Sequence, residues 1–386
     1  MIHMPSSKLH VESAVAAMAK YGEELCGDTV RNTRTSNSLI SVLSDGLGSG
    51  VKASILSTLT ASIASEMLRF GASLEDMMET IGKTLPVCQV RKIAYATIGA
   101  IEIEDTGQAF VAEFDTPPII LLRDGRPVRV ERTVREVGRG DQTVREAHFW
   151  VQRGDFLISV SDGVIHAGIG ARLRLGLGME GLESFLEGVI EPEMSSQRLA
   201  TTILDHCRYL YDGKPGDDTT VCVAKVRTPR RLIVAVGPPK DRKLDREFAM
   251  HVSRFPGARA VCGGTTANVI ADQLDREIKV DLADVIPGHP PKGRIQGIDF
   301  VGEGIVTLCG VLKHLKGEAD DETSPAAELA EMILHSDSIR FNVGRAINPA
   351  HQNPELPFDM TLKQQVVGKI HEILEAQGKT VEAVYF

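Results

Sequence analysis

Five aspartates stand where acids are costly. Asp28 follows Cys26-Gly27. Asp45 ends the apolar run "LISVLS" and precedes Gly46. Asp162 ends "FLISVS" and precedes Gly163. Asp217 and Asp218 precede "TTVCVAKV". A single Asp-Gly is ordinarily a turn, and Asp124-Gly125 inside "LLRDGRPVRV" fits a tight hairpin. Asp45 and Asp162 differ from it. Each follows a run suited to the centre of a sheet, and each is preceded by serine. If those strands pair, their ends bring several carboxylates together, which then raise one another's pKa unless a cation offsets them. Hard divalent ions such as Mn²⁺ and Mg²⁺ prefer carboxylate, carbonyl and water oxygens. Glycine after the acid lets the backbone approach, so the Gly46 carbonyl joins the candidate ligands. Two ions sharing carboxylates activate water and polarise a phosphoryl oxygen, so the expected chemistry is direct attack of water on a phosphate ester.

Other chemistries find less support. "GSGVKAS" after Leu47 lacks the spacing of a P-loop, and no Ser-His-Asp or Cys-x₅-Arg arrangement stands out. No histidine or cysteine cluster points to zinc. His166 lies near Asp162, and a lone histidine there reads as structural or as a surface group. The net charge of −9 argues against a broad nucleic-acid surface. Six scattered cysteines without a C-x-x-C pair read as reduced thiols of a cytoplasmic protein. The N-terminus lacks the pattern of a signal peptide, and no apolar run reaches membrane-spanning length.

The 386 residues suggest two domains. After Asp45, Val51, Ile55, Leu56, Leu59, Ile63 and Met67 recur at helical spacing. A second helix starts at Ser73 and stops near Pro86. Then "IAYATIGAIEI", "QAFVAEF", "IILLRDGRPVRVER", "AHFWVQRGDFLISVS" and "TTVCVAKV" read as strands between turns. Strands grouped apart from helices indicate an antiparallel α+β sandwich over residues 1–228. Thr228-Pro229-Arg230-Arg231 reads as a boundary. Over 229–386, "LIVAV", a helix from about Asp241 to Ser253, "ARAVCGGTTANVIADQL", "EIKVDL" and "GIDFVGEGIVTLCGVLKHL" alternate strand and helix. That indicates a smaller α/β domain with a mainly parallel sheet, ending in helices around the loop "AINPAHQNPELPFD".

In this order "ELCGD", "SDGLGSG", "FDTPPIILLRDG", "FLISVSDGV" and "GDDTTVCVAKV" resemble the SpoIIE-type branch of metal-dependent protein phosphatases, relatives of protein phosphatase 2C. The match covers about residues 10–227. The resemblance implies an αββα sandwich of two antiparallel sheets flanked by helices, with two Mn²⁺ or Mg²⁺ ions at one end. It implies that Asp45 bridges the metals with Gly46 offering its carbonyl, and that Asp28 is the early acid of the site. Asp162 matches the family's "SDG" acid and Asp217 the first acid of "D-[DN]-x-T", with Asp218 as support. The helix after "LGSG" and the stretch "HAGIGARLRLGLGMEGLESFLE" fall where the family has regulatory and mobile helical segments. In "FDTPP", Asp115 replaces the small or amide residue usual in relatives. The implied substrate is a phosphoserine or phosphothreonine protein in bacterial signalling, such as a STAS-type regulator. Neither nucleic acid nor membrane is expected as a partner.

The second domain resembles no family. Its "CGGTTANVIA" and "VGEGIVTLCG" place glycine before a helix N-terminus, which suits an anion and equally suits a tight turn. A regulatory, ligand-binding or homodimerising role stays open. Two further readings of the whole chain remain: a non-catalytic partner-binding module, and a phosphatase for a small metabolite.

Overall fold

The computed structural model describes residues 8–84, 96–137, 142–280, 293–319, 321–346 and 362–386. The chain divides into two compact units, Met1–Thr228 and Pro229–Phe386.

The first unit begins with strands β1 (His10–Met18), β2 (Asp28–Arg34) and β3 (Ser38–Asp45), then helices α1 (Gly50–Arg69) and α2 (Leu74–Thr84). Strands β4 (Ile98–Glu104), β5 (Gln108–Phe114), β6 (Ile120–Arg123), β7 (Arg126–Val128), β8 (Thr133–Val137), β9 (Gln142–Trp150) and β10 (Phe156–Val160) follow. A short helix α3 (Asp162–Ile165), helices α4 (Gly178–Val189) and α5 (Ser196–Leu210), and strand β11 (Thr219–Arg227) complete it. One sheet has the order β1-β11-β10-β6-β7 and the other β2-β3-β4-β5-β9-β8. All neighbours are antiparallel.

Three apolar layers hold these sheets. Leu39, Ile101, Ile103 and Val111 from one sheet meet Val11, Leu121, Leu157 and Ala224 from the other. Outside the six-stranded sheet, Leu56, Ala61, Ala64, Met77 and Ile81 of α1 and α2 pack on Ile40, Val42 and Ala100. Outside the five-stranded sheet, Leu182, Leu186, Leu199 and Ile203 of α4 and α5 pack on Ile158, Val221 and Val223. This is the αββα sandwich. β3 is covered on both faces and buried up to its last residue, which is why it reads as a continuous apolar run and not as an alternation.

Sequence and structure part in several places. "AHFWVQRGDFLISVS" reads as one strand-turn-strand unit, yet β9 and β10 belong to different sheets. Gly154 at φ +97 and the Asp155 side chain make the crossing. Asp155 is 1% exposed and takes a forked pair from Arg123, at 3.0 and 2.6 Å, plus the Gln152 N–H at 2.9 Å. By contrast the Asp124-Gly125 hairpin has φ +51 and +77, the positive pair that a tight two-residue turn requires. Asp115 of "FDTPP" also lies at φ +49. Asp tolerates that region, where a β-branched residue does not. Cys88 and residues 85–95 lie outside the described residues, as does most of "AINPAHQNPELPFD".

The second unit contains β12 (Arg231–Val236), a 3₁₀ turn at Arg242–Leu244, α6 (Asp245–Ser253), β13 (Ala258–Cys262) and α7 (Gly264–Leu274). Next come β14 (Ile278–Val280), β15 (Gly293–Ile295), β16 (Phe300–Gly302), α8 (Gly304–Leu315), α9 (Pro325–His335), β17 (Ser338–Val343), α10 (Leu362–Ala376) and β18 (Thr380–Tyr385). The sheet order is β16-β13-β12-β17-β18 with every pair parallel, and β14 and β15 form a separate antiparallel pair. The chain starts in the middle, fills one side and crosses to the other, so helices cover both faces. α6 and α7 pack on one face, and α8, α9 and α10 on the other. The two glycine turns meet: Gly263 N–H donates to the Gly302 carbonyl at 2.7 Å. A Cβ on Gly263 would lie 3.4 Å from the Gly304 Cα. That contact is an ordinary one; the Gly263 φ of +112, which side-chain-bearing residues rarely adopt, accounts for glycine there.

Candidate metal centre

Asp28 opens β2 and Asp45 closes β3, and the two residues face each other in the antiparallel register. Asp45 is fixed from the side by Thr97, whose hydroxyl meets the Asp45 N–H at 3.1 Å and whose N–H meets the Asp45 carbonyl at 3.0 Å. Gly46 N–H donates to the Gly27 carbonyl at 3.3 Å.

Asp162 and Asp217 arrive from the other sheet. Asp162 is the first residue of α3, one place beyond the strand end that its sequence suggested, with Ser161 between them. The Ser161 backbone N–H donates to the Thr220 carbonyl at 3.0 Å, and the Ser161 Oγ accepts from Thr220 N–H at 2.9 Å. The "SDG" turn is thus tied to the start of β11, beside Asp217 and Asp218. Tyr211 Oη donates to the Gly163 carbonyl at 2.8 Å from the other side. Sequence reading did not single out Thr97, Tyr211 or Thr220, and it noted Ser161 only as the residue before Asp162. They are ordinary polar residues whose role depends on contacts across the fold.

The glycines beside the acids are packing requirements. A Cβ on Gly46 would lie 2.1 Å from the Ala53 carbonyl of α1, and one on Gly163 would lie 2.0 Å from the Asp218 carbonyl. A Cβ on Gly27 would meet Asp218 Oδ2 at 2.7 Å. Asp-Gly here marks backbones in contact, whereas at Asp124-Gly125 it marks a turn.

Asp45, Asp162 and Asp217 are half-buried, while Asp28 and Asp218 are 8% and 4% exposed. Burial, then the charges of Asp28, Asp162 and Asp217, push the Asp45 carboxyl up to about 9. Burial also raises Asp28, with Asp218 adding to it; Ser161 and Thr220 lie close enough to temper the rise. Neither completes a hydrogen bond of good geometry, so both Asp28 oxygens are buried without a partner, as is Asp218 Oδ2. Asp218 Oδ1 accepts the Lys20 N–H at 3.0 Å. Burial and Asp217 raise Asp162, and His166, 3.8 Å away and half exposed, opposes that. Among the described residues no three acidic, histidine or cysteine side chains form a closed ligand group. The four acids expected from the sequence nonetheless share one field. Unpartnered buried carboxylate oxygens and an all-oxygen donor set fit a hard divalent cation.

The sequence matches the family model of stage II sporulation protein E (SpoIIE) over residues 35–227, half of the chain. The chain belongs to the SpoIIE family. Three solved structures are similar to part of the chain. The phosphatase domain of the cell fate determinant SpoIIE from Bacillus subtilis is 19% identical, with 58% of this chain and 95% of that one covered and a TM-score of 0.45. The PP2C phosphatase domain of the same protein with a fragment of its regulatory domain is 20% identical, with 57% and 63% covered and a TM-score of 0.49. The RsbU and RsbW domains of Rv1364c from Mycobacterium tuberculosis are 18% identical, with 58% and 63% covered and a TM-score of 0.46. No curated protein matches the sequence. In this SpoIIE-family chain the matched span contains Asp45, Asp162 and Asp217, and Asp28 lies just ahead of it.

Proposed function

We propose that the chain is a metal-dependent protein serine/threonine phosphatase of bacterial signalling, acting on a phosphorylated protein regulator of the STAS type. The observation that carries this reading is the shared field of Asp28, Asp45, Asp162 and Asp217, with the Asp28 oxygens buried and unpartnered.

In this reading Asp28, Asp45, Asp162, Asp217 and the Gly46 carbonyl hold two Mn²⁺ or Mg²⁺ ions, which when bound supply Lewis-acid activation of water and of the phosphoryl oxygen. Asp45 and Asp28 are the acids closest to that chemistry, and their cross-strand pairing fixes the distance between them. Asp218 adds a second buried negative charge beside Asp28, and Tyr211 and Ser161 hold the Asp162 turn. The three half-buried acids stand at a margin open to solvent, where a phosphorylated side chain carried by another protein can reach. Among the described residues no helix is long and apolar enough to cross a membrane, which accords with a cytoplasmic setting. The second unit is read as a regulatory, ligand-binding or dimerising domain.

The test is hydrolysis of p-nitrophenyl phosphate and of phosphoserine peptides with and without Mn²⁺. The expected result is turnover that depends on Mn²⁺ and favours phosphopeptides over sugar or nucleotide phosphates. Asp45→Asn should lose at least 100-fold, in line with removal of an electrostatic catalytic group. Undiminished turnover in excess chelator would refute the reading, and preference for a small phosphomonoester would move it to a metabolite phosphatase.

A further inference from the structure

The α1–α2 turn stands over the outer face of the six-stranded sheet, and between them lies a cleft of about 890 Å³. Its floor is the outward-facing side of β5 and β9. Phe110 lies opposite His148 in the register, their rings 4.7 Å apart, and Trp150 lies opposite Gln108. Five carboxylates line the cleft: Glu75, Glu102, Glu104, Glu136 and Glu146. Among the described residues that line the cleft, the basic side chains are Arg135, paired to Glu146, and His148. Burial raises the Glu102 carboxyl against an opposing hydrogen bond from Ser38, and the Glu104 charge adds a smaller push upward. An aromatic floor ringed by excess negative charge is an unusual outer face for a sheet, and it suits a cation over aromatic rings next to an apolar anchor.

We propose that this cleft is a docking site for a protein segment carrying lysine or arginine beside an aromatic or aliphatic anchor. Charge complementarity selects the occupant. A second copy of this chain, at net charge −9, is a poor candidate. The volume accommodates several side chains rather than a single ion. Its location separates docking from chemistry. Glu104 pairs with Ser38 at the start of β3, seven residues before Asp45 at its end. At about 3.3 Å per residue that is roughly 23 Å. A partner held in the cleft leaves the acidic margin uncovered. The inference does not depend on the metal reading.

Trp150 is the only tryptophan of the chain, so its emission reports on the cleft directly. The probe is an amphipathic lysine/leucine peptide titrated into the full chain, with a glutamate/leucine peptide and spermine as comparisons. The expected result is a saturable change in emission with the basic peptide alone. Binding weakens at least tenfold in Glu75→Lys/Glu136→Lys, two exposed positions that the fold does not need. It changes less than twofold in Glu180→Lys/Glu187→Lys, an equal charge change on α4. An unchanged emission, equal weakening in both double variants, an equal response to the acidic peptide, or saturation by spermine at the same concentration would each overturn the proposal.

Discussion

At Asp45, burial and three neighbouring carboxylates act in one direction, so the folded chain without divalent ions holds a proton that the unfolded chain releases. The carboxyl moves from an ordinary 3.8 to about 9. Between those values the folded state binds more protons, so this group makes stability fall as pH rises. The expected outcome is a melting temperature of the chelated protein that declines from pH 5 to 8. Asp45→Asn flattens that decline and melts higher than the parent at pH 8, although it has lost activity. Thermal scans in chelator across that pH range check both. At Gly163 the argument is steric. Gly163→Ala pushes a methyl into the Asp218 carbonyl, and overpacking of this kind costs ~1–3 kcal/mol. Weaker Mn²⁺ binding should accompany that loss, because Asp162 and Asp217 flank the displaced backbone.

At the scale of the elements, local patterns carried much of the first unit. "QAFVAEF" is β5 residue for residue, and the helix proposed from Ser73 is α2, described over Leu74–Thr84. β1 was not legible. "HVESAVAAM" is rich in alanine and polar residues, and what makes it a strand is pairing along its whole length with β11. β8 is equally silent by itself and exists as an edge partner of β9. Assignment of strands to sheets was also out of reach, since β9 and β10 are consecutive yet lie in different layers. For the segment after Asp162 the family resemblance implies a mobile helical stretch, and its glycines also suit a surface loop. In the structure its second half is α4, with Leu182 and Leu186 fully buried in the apolar layer that α4 and α5 share over the five-stranded sheet. Leu186→Ala is therefore expected to cost about 2–5 kcal/mol by denaturant unfolding. A cost under 1 kcal/mol would indicate a helix that spends much of its time undocked.

On the scale of the whole molecule, two units with separate cores are expected to respond differently to one ligand. The carboxylates all belong to the first, and the parallel sheet of the second has its own apolar layers on both faces. Calorimetry of the full chain should resolve two transitions, of which Mn²⁺ raises one and leaves the other in place. A ligand that binds only the folded state at 100 times its Kd adds ~2.7 kcal/mol to that state. The candidate site was readable because each acid carried a local mark, namely an apolar run and an adjoining glycine or second acid. The residues that hold the acids carried none, since Thr97, Tyr211 and Thr220 acquire their roles from long-range contacts. In the second unit the alternation of strand and helix announced a parallel sheet, while its strand order depended on which side each crossover took.

The most direct test of the carboxylate field is calorimetric titration of Mn²⁺ into the metal-free full chain and into Asp45→Asn. Two Mn²⁺ ions are expected per parent chain, binding more tightly at pH 8 than at pH 6, with at least one lost in the variant. Identical isotherms for the two proteins, or no binding heat in the parent, would contradict it.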